Sequence, residues 1–167
     1  MGKSSLLNCL VGRRGLARTS GMPGRTRQLN FFLVNDRFVL VDLPGYGFAV
    51  GPEAEQRAWG PLVEGYLRER ATLRGLVLVI DARRGLENEE DQVLAIAADL
   101  RLPVAVAATK LDKLARAAAR TRLAGLQGWL GGRAPLVGFS ARTGDGRDAL
   151  WRILTGWLAA PPRRASP

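Results

Sequence analysis

Four apolar stretches of this chain each run into a polar residue: Phe38 to Val41 into Asp42, Leu76 to Ile80 into Asp81, Val104 to Ala108 into Thr109, and Leu136 to Phe139 into Ser140. Short continuous apolar runs of this kind suit strands buried on both faces, and segments with helical spacing lie between them. That alternation predicts an α/β layer structure, in which ligands bind just beyond the carboxyl ends of the strands. The polar residues at the strand ends are therefore the first place to look for chemistry.

The remaining elements follow in order. Leu6 to Val11 suits a short buried helix whose amino end lies at the Gly2-Lys3-Ser4 turn, where the helix dipole favours an anion. Residues 12–28 are basic and rich in breakers, and a loop this long inside a domain is expected to be functional. Asn30 to Val34 and Phe38 to Val41 form a hairpin across Asn35-Asp36. A helix between Pro52 and Leu73 carries Trp59, Leu62, Val63, Tyr66 and Leu67 on its apolar face. Glu87, Glu89, Glu90 and Asp91 open another, with Val93, Leu94, Ile96, Ala97 and Leu100 on one side. A third helix ends near Trp129, and the last, about Asp145 to Leu158, buries Leu150, Ile153, Leu154, Trp157 and Leu158. The predicted fold is a doubly wound, mainly parallel sheet with one antiparallel hairpin strand. A domain over residues 1–159 and a disordered, basic, Pro-rich tail over 160–167 are expected.

Composition removes whole classes of chemistry. There is no histidine, hence no Ser-His triad and no histidine base or metal ligand. The lone Cys9 supports neither a disulfide framework nor a zinc site, and a core role is expected for it. No apolar run approaches the roughly 20 residues of a membrane span, and a cytoplasmic protein without membrane contact is expected. The net charge is +10, and no Asp or Glu precedes Asp36, while Lys3, Arg13, Arg14, Arg18, Arg25 and Arg27 do. Such a segment suits a polyanionic partner; a solvated basic surface fits it equally well.

Backbone amides, Lys, Ser/Thr, Asp and a bound cation must then carry the chemistry. Gly2-Lys3-Ser4-Ser5 matches the second half of a phosphate-binding loop, G-x-x-x-x-G-K-[ST]. D-x-x-G at Asp42 to Gly45 offers an acid for a magnesium-bound water and a glycine N–H for a γ-phosphate. T-K-x-D at Thr109 to Asp112 offers a carboxylate that can accept from N1–H and the 2-amino group of guanine, a donor pair that adenine lacks. Singly, Asp42 also fits a turn and Asp112 a helix N-cap. In this order, with Ser140-Ala141 following, they predict a P-loop domain that binds GTP.

Six stretches together closely resemble the EngB family of bacterial ribosome-biogenesis GTPases: Gly2-Lys3-Ser4-Ser5-Leu6, Thr19-Ser20-x-x-Pro23-Gly24-Arg25-Thr26, Asn30-Phe31-Phe32, Asp42-Leu43-Pro44-Gly45-Tyr46-Gly47, Thr109-Lys110-x-Asp112-Lys113 and Phe139-Ser140-Ala141. The resemblance runs from Gly2 to about Leu158. It implies that Gly2, Lys3, Ser4, Ser5 and Gly24 meet the phosphates, with Lys3 neutralising β- and γ-charge. It makes Ser4, Thr26 and Asp42 the Mg²⁺ residues, with Gly45 as sensor of the γ-phosphate. Thr109, Lys110, Asp112, Ser140 and Ala141 form the guanine site, and Lys3, Thr26 and Gly45 are the residues that serve hydrolysis. Tyr46 stands where related enzymes carry a water-orienting glutamine, so slow turnover is expected. Arg25 fits either a catalytic or an RNA contact.

The same resemblance implies engagement of the precursor of the large ribosomal subunit and its rRNA, in a GTP-dependent and salt-sensitive way, and a monomer is expected. A non-hydrolysing RNA-binding or scaffold module on the same fold is the alternative. It also implies a strand and the first part of the loop ahead of Gly2, so that Met1 is expected to mark a start placed too late. The asparagine that helps hold an activating monovalent cation would lie in that upstream part.

Overall fold

The computed structural model describes residues 2–13, 29–44, 62–84 and 88–161. The chain divides into two compact units, Lys3–Arg70 and Met1–Gly2 with Ala71–Pro167.

In the first unit, α1 (Lys3–Val11) buries Leu6, Leu7 and Leu10, a stripe that recurs once per turn. Strands β1 (Asn30–Val34) and β2 (Phe38–Asp42) pair antiparallel, with Asn30 opposite Asp42 and Val34 opposite Phe38. Asn35 and Asp36 turn the hairpin at φ 50° and 53°, and the Arg37 N–H donates to the Val34 carbonyl at 3.1 Å. Two consecutive positive φ values are what a type I′ turn needs, and Asn and Asp tolerate them best among residues with a Cβ. A further helix, α2, occupies residues 62–69 and buries Val63 and Leu67. Leu62 was expected on that buried face but is 43% exposed, one position off the i, i+4 stripe. Trp59, expected on the same helix, lies outside the described residues.

The second unit holds a parallel sheet in the order β3-β4-β5, from β3 (Leu76–Asp81), β4 (Val104–Thr109) and β5 (Leu136–Gly138). Helices α3 (Asn88–Asp99) and α4 (Arg116–Leu130) connect the strands, and α5 (Arg147–Ala159) follows. Strand β4 lies between the other two, and Ala105 to Ala108 are sealed from water. Ile80, Ala82, Val106 and Ala108 from the strand region form one core with Leu94 of α3 and Leu126 and Leu130 of α4. Asp91 of α3 accepts from Arg133 Nη1 at 2.8 Å and from Trp129 Nε1 at 3.3 Å. These donors, Arg133 first, hold its carboxyl below the ordinary carboxylate range and tie α3 to the end of α4. Asp91 is therefore accounted for by a surface ion pair and hydrogen bond between α3 and the end of α4.

The register is what aims this unit at chemistry. Asp81 lies opposite Thr109 at the carboxyl ends of β3 and β4, and beyond β5 the Phe139 N–H donates to the Ala108 carbonyl at 2.8 Å. The turn into α5 depends on Gly146: its φ is +81°, and a methyl group there would sit 2.0 Å from the Gly138 carbonyl oxygen. Gly146→Ala is expected to lower stability by roughly 2 kcal/mol or more in urea unfolding, from strain and clash together. Gly131, at φ +53° with nothing within 4 Å, is the comparison that carries strain alone.

Candidate functional site

Two clusters contain those residues singled out by sequence that the structure describes, one in each unit. In Lys3–Arg70, Lys3 begins α1 and Asp42 ends β2. The Lys3 ammonium lies 2.7 Å from Asp42 Oδ1 and donates its hydrogen bond to the Leu43 carbonyl. Asp42 is only 4% exposed, and its buried Oδ1 has no donor beyond that ammonium among the described residues. With three N–H donors, the ammonium can serve both the Leu43 carbonyl and the Asp42 carboxylate. A cation in the first turn opposes the helix dipole, and no acid offsets it there. That arrangement suits an anion at the amino end of α1, beside half-buried Ser4 and exposed Ser5.

The second cluster is built on β3, β4 and the turn after β5. A Cβ on Gly2, whose φ is +95°, would come 3.3 Å from Thr109 Oγ1 and 3.6 Å from Lys110 Cε, so this glycine permits close approach. Thr109 donates its hydroxyl to the Ile80 carbonyl at 2.8 Å, locking the ends of β3 and β4 together. Lys110 follows in the left-handed region, φ 63° and ψ 29°, which redirects the chain into the single 3₁₀ turn Leu111–Lys113. Asp112 sits in that turn.

Ser140, 1% exposed, organises the carboxylate. Its hydroxyl oxygen accepts the N–H groups of Arg142 at 3.3 Å and Thr143 at 3.2 Å, and so is left to donate to Asp112 Oδ1 at 2.8 Å. Asp112 Oδ2 faces Arg142 Nε at 3.7 Å, beyond hydrogen-bond distance. One oxygen is anchored and the other has the Arg142 charge near it, in a side chain 9% exposed; Ala141, next to Ser140 in sequence, is exposed. Such a carboxylate can accept from two adjacent N–H donors on a planar ligand.

Sequence reading left Asp81 with no role beyond ending a strand, and passed over Arg83. The structure joins both to Lys110. Arg83 donates to Asp81 from Nε at 3.0 Å and from Nη2 at 2.8 Å, its backbone N–H donates at 3.0 Å, and Lys110 Nζ lies 2.9 Å from Oδ2. These contacts, the Arg83 side chain first, hold the Asp81 carboxyl far below the usual carboxylate range despite burial. Its stabilising effect is therefore complete above the unfolded value near pH ~4 and is lost only as pH falls through the depressed folded value. Gly24, Thr26, Gly45 and Tyr46, together with Arg25, lie outside the described residues.

The comparisons with known proteins agree with this chemistry. The family model for 50S ribosome-binding GTPases matches residues 1–110. The chain is 46% identical to the probable GTP-binding protein EngB of Gemmatimonas aurantiaca, over 99% of this chain and 82% of that protein. It is 44% identical to its counterpart in Pelotomaculum thermopropionicum, over 98% and 83%. A crystal structure of a probable GTP-binding protein EngB superposes with a TM-score of 0.75 at 23% identity, covering 94% of this chain and 92% of that one. Era in complex with MgGDPNP and nucleotides 1506–1542 of 16S ribosomal RNA gives 0.73 at 22% identity, over 99% and 54%. The fold is that of a P-loop GTPase, with the parallel sheet and antiparallel hairpin described above.

Proposed function

Because this chain belongs to the EngB family of GTP-binding proteins, we propose that it binds GTP and GDP, hydrolyses GTP slowly, and acts in the cytoplasm as a nucleotide switch in assembly of the large ribosomal subunit. The observation that carries the nucleotide reading is the Asp112 carboxylate, anchored through Oδ1 by Ser140 and left to accept through Oδ2, which faces the Arg142 guanidinium at 3.7 Å. It accepts from guanine N1–H and the 2-amino group, Lys110 lays its methylene stem along the ring, and Ala141 offers its N–H to O6. Adenine leaves the carboxylate unpartnered and is rejected.

In the other cluster, Lys3 is held ready for the phosphates by Asp42. The buried carboxylate of Asp42, met at Oδ1 by Lys3 alone among the described residues, fits a role toward Mg²⁺ through water. Ser4, Thr26 and Asp42 would hold the ion, which supplies neutralisation of phosphate charge when bound. Lys3 adds its own positive charge, and Thr26 and Gly45 respond to the γ-phosphate. Loss of that phosphate releases their contacts, an order-to-disorder change that alters what the surface can bind. The basic residues before Asp36 suit rRNA as the partner.

The test is displacement of a fluorescent GDP analogue from the chain. GDP is expected to compete at concentrations at least about 100-fold below those ADP requires, because the carboxylate loses two donors with adenine. Equal competition by ADP, or no binding of the analogue, would overturn the reading. Tight binding without phosphate release from GTP would favour the non-hydrolysing scaffold instead.

A further inference from the structure

We propose that Asp81 is a positioning residue for the nucleotide base: it fixes the Lys110 ammonium so that the lysine stem is set across the guanine plane before the ligand arrives. The proposal rests on the reading of Lys110 and Asp112 as the guanine site. Its geometry comes from strand register, since Asp81 lies opposite Thr109 and thus beside residue 110. The Asp81 side chain is 2% exposed, and its Oδ2 lies 2.9 Å from Lys110 Nζ.

Charge compensation does not account for the lysine. Arg83 already meets both carboxylate oxygens, so a full positive charge is paired with Asp81 before Lys110 is counted. What Asp81 adds for Lys110 is order. A lysine side chain has four rotatable bonds, and an unrestrained one loses that freedom when it packs against a base. Here the backbone is already committed to the left-handed region at φ 63°, and the ammonium is tethered at the other end. A stem pinned at both ends is preorganised, and its ordering does not have to be offset by the ligand. The 2-amino group of guanine belongs to Asp112, so this tether acts on the ring as a whole and not on its identity.

The test is a double-mutant cycle read by affinity for GDP and IDP. Asp81→Asn is expected to raise the Kd for both nucleotides about tenfold and by the same factor, leaving their ratio unchanged. In a Lys110→Met background, which keeps an unbranched apolar stem without the ammonium, Asp81→Asn is expected to add nothing. A full tenfold loss in that background would show that Asp81 acts by another route and overturn the proposal, as would an unchanged Kd in the single variant. Failure of the unaltered chain to bind GDP would overturn the guanine-site reading and this proposal with it.

A second measurement serves if Asp81→Asn does not fold. Lysine occurs only at positions 3, 110 and 113, so ¹⁵N-lysine labelling gives a spectrum that single substitutions assign. A Lys110 ammonium signal protected from solvent exchange in the free protein is expected. A Lys110 signal in fast exchange, like that of an unrestrained surface lysine, would overturn the tether.

Discussion

Asp112→Asn is expected to weaken GDP binding by about 100-fold or more and to let xanthosine diphosphate bind in its place. A hydrogen bond to a charged group is worth ~1.5–3 kcal/mol, and guanine places two donors on this carboxylate. The structure also fixes how the replacement must sit. Ser140 Oγ already accepts two backbone N–H groups, so it can only donate to residue 112. The amide oxygen therefore takes the Oδ1 position, and the amide nitrogen takes the Oδ2 position. An N–H then faces the guanine 2-amino group, donor against donor. Xanthine carries a carbonyl oxygen at that carbon and accepts the new donor. Displacement of a fluorescent nucleotide by GDP and by xanthosine diphosphate checks both halves. Unchanged GDP affinity, in a variant whose thermal unfolding matches the unaltered chain, would remove Asp112 from the base site.

Lys3→Ala is expected to lose stability as well as nucleotide. Asp42 is buried at 4% exposure, and the Lys3 ammonium at 2.7 Å is the charge that compensates it. Removing one partner of a buried pair costs ~3–5 kcal/mol, because the remaining charge is left in a poorly solvating place. The Lys3 side chain is 21% exposed, so water can relieve part of this, and about 3 kcal/mol is expected. Urea unfolding measures it. Adding Asp42→Asn to Lys3→Ala is expected to restore most of the stability, since no buried charge remains, while nucleotide affinity stays lost. Recovery of nucleotide binding in the double variant would show that the lysine serves Asp42 alone.

The two variants divide the chain's chemistry as its sequence does. Asp42, Thr109 and Ser140 were legible as candidates because each follows a short apolar run, and Lys110 and Asp112 because they lie just beyond one, where strand ends collect ligand-binding groups for a topological reason. The hairpin at Asn35-Asp36 was legible because few residues accept two positive φ values in succession. Helix α2 was legible in type and, at Val63, Tyr66 and Leu67, in face; only Leu62 falls on the exposed side, since a short amphipathic pattern leaves the edge of the stripe open by one residue. Asp81 was visible as a strand-end acid and Arg83 not at all. Asp81 had its strand-end position but no motif to say which side chain it meets, and Arg83 has no local signal that distinguishes it from the other arginines of the chain.

What the sequence determined by itself is the alternation of strand and helix, the polar residues that punctuate it and the order of the GTP-binding motifs, because these depend on local periodicity and residue chemistry. Only the tertiary structure decided which charges meet. Asp81 reaches Lys110 because β3 and β4 pair in parallel with residue 81 opposite residue 109. A one-residue slip of that register would turn every side chain of one strand to the other face and separate the pair. Ser140 reaches Asp112, 28 residues away, because β4 and β5 pair in parallel and the Leu111 N–H donates to the Phe139 carbonyl at 3.4 Å, which sets the two strand-end turns side by side. Pairing across such separations is set by packing of the whole sheet, and no stretch of sequence contains it.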